Sequence, residues 1–555
     1  MEPKDAKGQA PLFTFHNPAP IQPPIPRRWM ATLYWPPRMQ SSKVVVHLRG
    51  TRGWMEPKDA KGQAPHFTFH TSAPIQPPIP RRWMATLRGY RTTGEKVIDK
   101  SEFKAEMEEK ADRLDQQLED CFVDPDGLIY NMVHSPGYRP YRAEDFTPED
   151  MYRPMWKEQG WPTIEAWSNY ENTPHTVGCY LGYQAYRYQV TGEERCLERA
   201  ARTFDALKRN FEIGERVLER GYWPKPFGGL GEAHRSKDMT PDCNFGLVSG
   251  LNTYLDVAPS PLREEASEIL KAIFDFYVKY NFDHSWLVEK GYRGLFNYIA
   301  DFGYHVGPLI ICYMKIAADR FGPDPYQRIY EELLEIDNGA FNSRFETNVQ
   351  MQKRLGDAYW SSTAADYFTY TDEMKAARPM NIVSVGGGWS GVSESIGYLA
   401  EHDPDRADFF RKQAEHWFTE EMRPGYAGEG WGYLRTMYDH QAKQRVPMSK
   451  EVLERIYGEP LTKPHRGMTN FMCDGKLTGS PWVTATVCLH HANPDIGAGD
   501  FTHKVLREMD EPSLHFFGPP ATGEWPEGRA WYATNYLGPV FWLHTYYYGR
   551  HHGFW

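Results

Sequence analysis

The pattern of apolar and polar positions repeats down most of this chain as pairs of helices. The clearest unit covers residues 177–211. Val177, Tyr180, Leu181, Gln184, Ala185 and Tyr188 fall on one helical face, and the segment carries little charge. A turn is predicted at Thr191, Gly192 and Glu193. A second helix follows, with Leu197, Ala200, Ala201, Phe204 and Phe211 on one face and Arg and Glu opposite. Low charge all round predicts burial on most sides, and an amphipathic stripe predicts an outer helix. Alternation of the two kinds predicts two concentric rings of helices.

The same alternation predicts further pairs. Residues 245–255 pair with 263–280, striped by Ala266, Ile269, Leu270, Ile273 and Tyr277. Residues 303–318 pair with 325–336, and 390–401 with 405–420, striped by Ala407, Phe410, Ala414 and Trp417. Residues 481–491 pair with 501–509. The last apolar stretch, 530–548, is expected to be closed by the charged amphipathic helix at 98–118. Long loops rich in Gly, Trp, Tyr and Pro precede the inner helices at 212–242, 281–301, 342–388, 423–479 and 511–529. Long loops gathered on one side of a helical ring are where a site is expected.

The first part of the chain reads differently. Residues 1–33 and 55–87 are near copies, differing at Leu12/His66, Asn17/Thr71 and Pro18/Ser72. Both are Pro- and Gln-rich and lack helical or strand periodicity. Proline fixes φ and removes a backbone donor, so residues 1–96 are expected to be an extended, solvated extension. A true start at Met84 or nearby fits this reading. Residues 97–555 are expected to form the folded, catalytic domain.

Composition narrows the partners. The net charge of −10 is spread along the chain without a Lys/Arg block, so nucleic acid is not expected as a partner. No stretch reaches the ~20 apolar residues of a membrane span. No basic, apolar signal segment follows Met1, so a cytoplasmic location is expected. The seven Cys are scattered without a CxxC spacing, so neither a disulfide framework nor a zinc knuckle is expected. No metal or other cofactor is expected. Aromatic residues reach 15%, which serves a large core or flat faces for stacking sugar rings.

The helix pattern resembles the six-hairpin, (α/α)6-toroid carbohydrate-active enzymes: glycoside hydrolases, polysaccharide lyases and sugar epimerases. The resemblance rests on the hairpin TVGCYLGYQAYRYQVTGE at 176–193 and the loop GYWPKPFGG at 221–229, and it extends from about residue 97 to the end. It implies an all-α (α/α)6 toroid of six helical hairpins. A funnel in the ring would be lined by the N-terminal ends of the inner helices.

The residues just before those helices are therefore the candidates. In ENTPH at 171–175, Asn172 or Thr173 suits an N-cap with Pro174 in the first turn. His175 has no capping task and suits a substrate contact or base. In TPDCN at 240–244, Asp242 caps a helix or acts as a catalytic carboxylate. In NYIADFGYH at 297–305, Asp301 and His305 are four apart and share a helical face. Tyr304 and His305 are also the residue types that abstract the C5 proton in uronate lyases. In GGGWSGVSE at 386–394, Trp389 offers a stacking platform, and Glu394 is an acid or base or a first-turn carboxylate favoured by the helix dipole. Glu429 with Trp431, and Glu524 with Trp525, complete the set. The pairs His490/His491 and His551/His552 read as surface or packing residues, because no further ligand spacing accompanies them.

The expected function is glycoside hydrolysis of an oligo- or polysaccharide. Hydrolysis with inversion needs one protonated carboxyl for the leaving oxygen and a second carboxylate to activate water on the other face. Asp242 and Glu394 lead that pool, with Asp301, Glu429 and Glu524 behind them. Trp223, Trp389, Trp431 and Trp525 would stack the sugar. A polysaccharide lyase using Asn172, His175, Arg293, Tyr304 and His305 is the alternative. A non-enzymatic glycan- or peptide-binding scaffold is the third reading.

Overall fold

A computed structural model describes residues 100–134, 138–145, 161–288, 290–292, 306–335, 380–382, 386–423, 436–439, 444–447, 480–508, 515–517, 533–535 and 537–555. All of them fall in one compact unit, Arg88–Trp555. The duplicated Pro-rich segment lies outside the described residues.

The described residues are mostly helical. The main helices are α1 (Lys100–Cys121), α2 (Ile164–Tyr170), α3 (Thr173–Thr191), α4 (Glu194–Val217), α5 (Pro241–Tyr254) and α6 (Leu262–Lys279). They continue as α7 (Val306–Phe321), α8 (Tyr326–Glu335), α9 (Gly386–His402), α10 (Ala407–His416), α11 (Ser480–Ala492), α12 (Ala498–Glu508) and α13 (Leu537–His551). The predicted pairs correspond to α3/α4, α5/α6, α7/α8, α9/α10 and α11/α12, with α1 packed on α13.

Local sequence explains these ends. α3 stops where Gly192 adopts φ +70° and donates its N–H back to Tyr188, a left-handed conformation that costs glycine little. The turn is tightened by Thr191, whose hydroxyl donates to Arg187 O at 2.7 Å and accepts from Glu193 N at 3.2 Å. α4 is amphipathic as predicted: of the expected face Ala200, Phe204 and Phe211 are buried, Leu197 and Ala201 are half-buried, and Cys196 and Leu207 join the buried side. α10 carries its stripe of Phe410, Ala414 and Trp417 into a π-helical turn, Trp417–Met422.

The less charged helices pack on one another. α3 lies against α5 and α13, α5 also meets α7 and α9, α7 meets α9, α9 meets α11, and α11 meets α13. Glycine sets the closest of these approaches. A Cβ placed on Gly178 of α3 would stand 2.0 Å from the carbonyl oxygen of Gly246 on α5, and one on Gly250 would stand 1.9 Å from that of Gly178. Only bare backbone fits there.

Among the described residues, large aromatic side chains fill the core. Tyr180, Tyr183, Tyr222, Tyr254, Tyr277, Tyr313, Tyr330 and Trp542 are all fully buried. A buried ionic cluster ties α1 to α3 and α4: Asp115 pairs with Arg187 at 2.7 Å and accepts from Arg199 at 2.5 Å and from the Tyr183 hydroxyl at 2.9 Å. α1 is joined to α13 and its tail by Arg550 with Glu108 at 3.2 Å and by Lys100 Nζ donating to Gly553 O at 3.0 Å.

Two small antiparallel sheets supplement the helical expectation. Strands β1 (Met132–His134), β2 (Met380–Ile382), β3 (Thr436–Asp439), β4 (Gln444–Pro447), β5 (His515–Phe517) and β6 (Ala533–Asn535) form the orders β1-β6-β5 and β2-β3-β4. Val133 faces Thr534, and Tyr438 faces Arg445. Runs of three or four residues are too short to display a two-residue period, so the hydrophobic pattern gives no sign of them.

Candidate functional site

The described residues enclose a cavity of about 380 Å³ between α3, α5, α7, α9, α11 and α13. Its walls repeat one spacing. On α5 they are Ser249 and Thr253, then Asp256 beyond its end; on α7 Cys312, Ile316 and Asp319; on α9 Glu394, Tyr398, Glu401 and His402. On α13 they are His544, Tyr548 and His551, followed by His552. Steps of four, then three or four, place each set on one helical face. Each helix thus contributes a strip with deep groups first and exposed groups towards its C-terminal end.

Glu394 is the deep ionisable group. Its carboxylate Oε2 accepts from Ser249 Oγ at 3.0 Å. Part of its surface still faces the cavity. Burial pushes its carboxyl up to about 7, against the downward pull of the Ser249 bond. The Cys179, Cys312 and Cys488 thiols lie in its field, and burial above all, then the Glu394 charge, raises each of them. They stay protonated and do not act as thiolate nucleophiles. Burial pushes the His544 imidazole down to about 4, so it is neutral.

Aromatic rings line the wall above. Tyr186 meets His544 at 5.5 Å and Tyr548 at 5.4 Å, both edge to face. The rim is charged. Arg320 pairs with Asp256 at 2.8 Å and donates to Asn252 Oδ1 at 2.7 Å. Tyr398 donates to Asp319 Oδ2 at 3.0 Å and stacks on His402 at 4.0 Å. Lys315 pairs with Asp319. Glu401, His491 and His552 bring three metal-ligating atoms within 4.8 Å of one another.

Of the residues singled out from sequence, the cavity takes in Glu394, but not His175, Asn172 or Trp223. His175 is buried, its ring edge-on to Phe541 at 5.5 Å and close against the α5 backbone at Gly246. Asn172 occupies the N-cap position of α3 without a side-chain cap bond; its Oδ1 instead accepts from Cys243 Sγ at 3.5 Å. Thr173, the other predicted cap, donates to Ile129 O at 3.0 Å. Trp223 is buried beside Phe211, ring centres 5.8 Å apart. Asp242 stands in the first turn of α5 and Trp389 in the first turn of α9, placed by backbone alone. Asp301, Tyr304, His305, Arg293, Glu429, Trp431, Glu524 and Trp525 lie outside the described residues.

The helix pattern carried a signal for the remaining lining residues. Ser249, Thr253 and Asp256, or Glu394, Tyr398 and Glu401, are polar strips along otherwise apolar helices. Such a strip on a buried helix needs a polar neighbour, and a shared cavity supplies one.

Among the described residues, no helix is long and apolar enough to cross a membrane. No protein-family model matches the chain, and no curated protein matches it.

Proposed function

We propose that this chain is an (α/α)6-toroid enzyme that hydrolyses a glycosidic bond by carboxyl acid/base catalysis, with Glu394 as proton donor. The toroid is supported by the order of helix contacts: α3–α5–α7–α9–α11–α13 returns to α3, and each member carries its own partner from the set α1, α4, α6, α8, α10 and α12.

The observation that carries the chemistry is Glu394 itself, a carboxyl held near pKa 7 inside an aromatic-walled cavity. A leaving oxygen needs a proton at the moment its bond to carbon breaks. A carboxyl with an ordinary pKa has already lost its proton at neutral pH, and burial is the usual means of keeping it. Tyr186, Tyr398 and Tyr548 offer flat faces and hydroxyl tips to a sugar ring. The second carboxylate is drawn from Asp319 and Glu401 at the rim, or from Asp242 and Asp301 on the sequence reading.

The test is a panel of oligo- and polysaccharides, with new reducing ends and ultraviolet absorbance followed together. Hydrolysis gives reducing ends without a new C=C chromophore. Glu394→Gln should lower turnover by roughly 10²–10⁴-fold with the fold intact. Products with the C=C absorbance would replace the hydrolase with the lyase. Full activity in Glu394→Gln would remove Glu394 from the chemistry.

A further inference from the structure

We propose that Glu401, His491 and His552 form a binding site for a divalent metal ion of the zinc type at the rim of the cavity. The three residues come from α9, α11 and the turn that follows α13. Their ligating atoms all lie within 4.8 Å of one another. His491 Nε2 stands 3.8 Å from Glu401 Oε2. Tetrahedral zinc with bonds of 2.0–2.1 Å holds neighbouring donor atoms about 3.3 Å apart, so the donors draw in by up to about 1.5 Å to close the site.

His491 Nε2 and the Glu401 carboxylate, 3.8 Å apart, are beyond hydrogen-bond distance. The three donor atoms lie close enough together for one cation to bridge them. Neutral imidazole is also the form that binds metal. The other nitrogen of His491, Nδ1, is engaged with the Tyr548 hydroxyl. That contact fixes the ring with Nε2 turned to the site, as outer partners of metal-bound histidines do. The His491 and His552 ring centres are 4.2 Å apart at 43°, so the two rings do not lie flat on each other. Two nitrogens and one oxygen suit zinc, and three protein ligands leave a fourth position open.

The site does not use Glu394, but it takes Glu401, one of the two rim carboxylates offered for the reaction, so zinc binding is measured apart from turnover. It is tested on the full-length chain, stripped with a chelator and titrated with zinc against a chromophoric competitor. Cobalt(II) is then substituted and its visible d–d spectrum recorded. The expected result is one tight zinc per chain and an intense, tetrahedral-type cobalt spectrum. Glu401→Gln and His552→Ala should each weaken zinc by more than tenfold, and Tyr548→Phe by roughly 10–100-fold. His234→Asn, on an exposed loop histidine, should leave affinity unchanged. Glu401 is exposed, so its variant keeps the fold, and circular dichroism checks the others. Zinc affinity in the wild-type chain no higher than in a Glu401→Gln/His552→Ala double variant would overturn the proposal, whether both are tight or both negligible.

Discussion

Glu394 makes stability depend on pH in a direction opposite to that of an ordinary carboxylate. Its carboxyl is raised to about 7 from an ordinary value of 4.5. Between these values the folded chain keeps a proton that the unfolded chain has released. Stability from this group is therefore complete below about pH 4.5, falls as pH rises, and levels off above about 7. At about 1.4 kcal/mol per pH unit the total loss is about 3.5 kcal/mol, an upper figure because water reaches part of the side chain. Glu394→Gln keeps the size and polarity of the group but carries no proton equilibrium. The assay is urea unfolding of wild type and variant at pH 5, 6, 7 and 8, followed by tryptophan fluorescence. Groups common to both cancel in the difference. Wild type should lose 2–3 kcal/mol relative to the variant across this range, by the same linkage. A difference that stays flat with pH would refute the reasoning, because Glu394 would then titrate alike in both states.

Further outcomes follow from the same structure. If protonated Glu394 is the donor, kcat/KM should fall about tenfold per unit as pH rises above about 7; a profile flat to pH 9 would contradict it. Asp115→Ala leaves Arg187 buried with a lost partner and should cost about 3–5 kcal/mol by chemical denaturation; a change under 1 kcal/mol would show that the cluster contributes little. Gly178→Ala forces α3 off α5 and should cost about 1–3 kcal/mol or more, read as a lower melting temperature. An unchanged melting temperature would mean that the two helices separate freely.

The helical pairs were legible because burial leaves a local mark. Residues 177–211 show one apolar and one amphipathic helix, and α3 and α4 lie there, divided at Gly192 by the predicted turn. The helix-capping forecast at Asn172 was less informative, since its side chain turns to Cys243, a contact 71 positions along the chain. Glu394 was legible as a carboxylate at the start of an inner helix, but α9 begins at Gly386, so it stands in the middle of that helix and not in the first turn expected for it. Its environment was not legible, because Ser249, Cys312, Cys488 and His544 come from four other helices whose relative register no local pattern records. The histidine pairs show the limit most sharply. His491 and His552 have no ligand spacing in sequence, yet the packing of α11 against α13 and α9 sets them beside Glu401. The expected site lay at the inner-helix N-termini, whose preceding loops fall largely outside the described residues. The described cavity lies along the C-terminal halves.

The central claim is that Glu394 gives its proton to a departing sugar oxygen. The most direct measurement compares wild type and Glu394→Gln on the glycan found by the panel and on the matching dinitrophenyl glycoside, whose leaving group departs without a proton. The account predicts that the variant loses roughly 10²–10⁴-fold on the glycan and little on the dinitrophenyl glycoside in the bond-breaking step. Equal loss on both substrates, or no loss on the glycan, would contradict it.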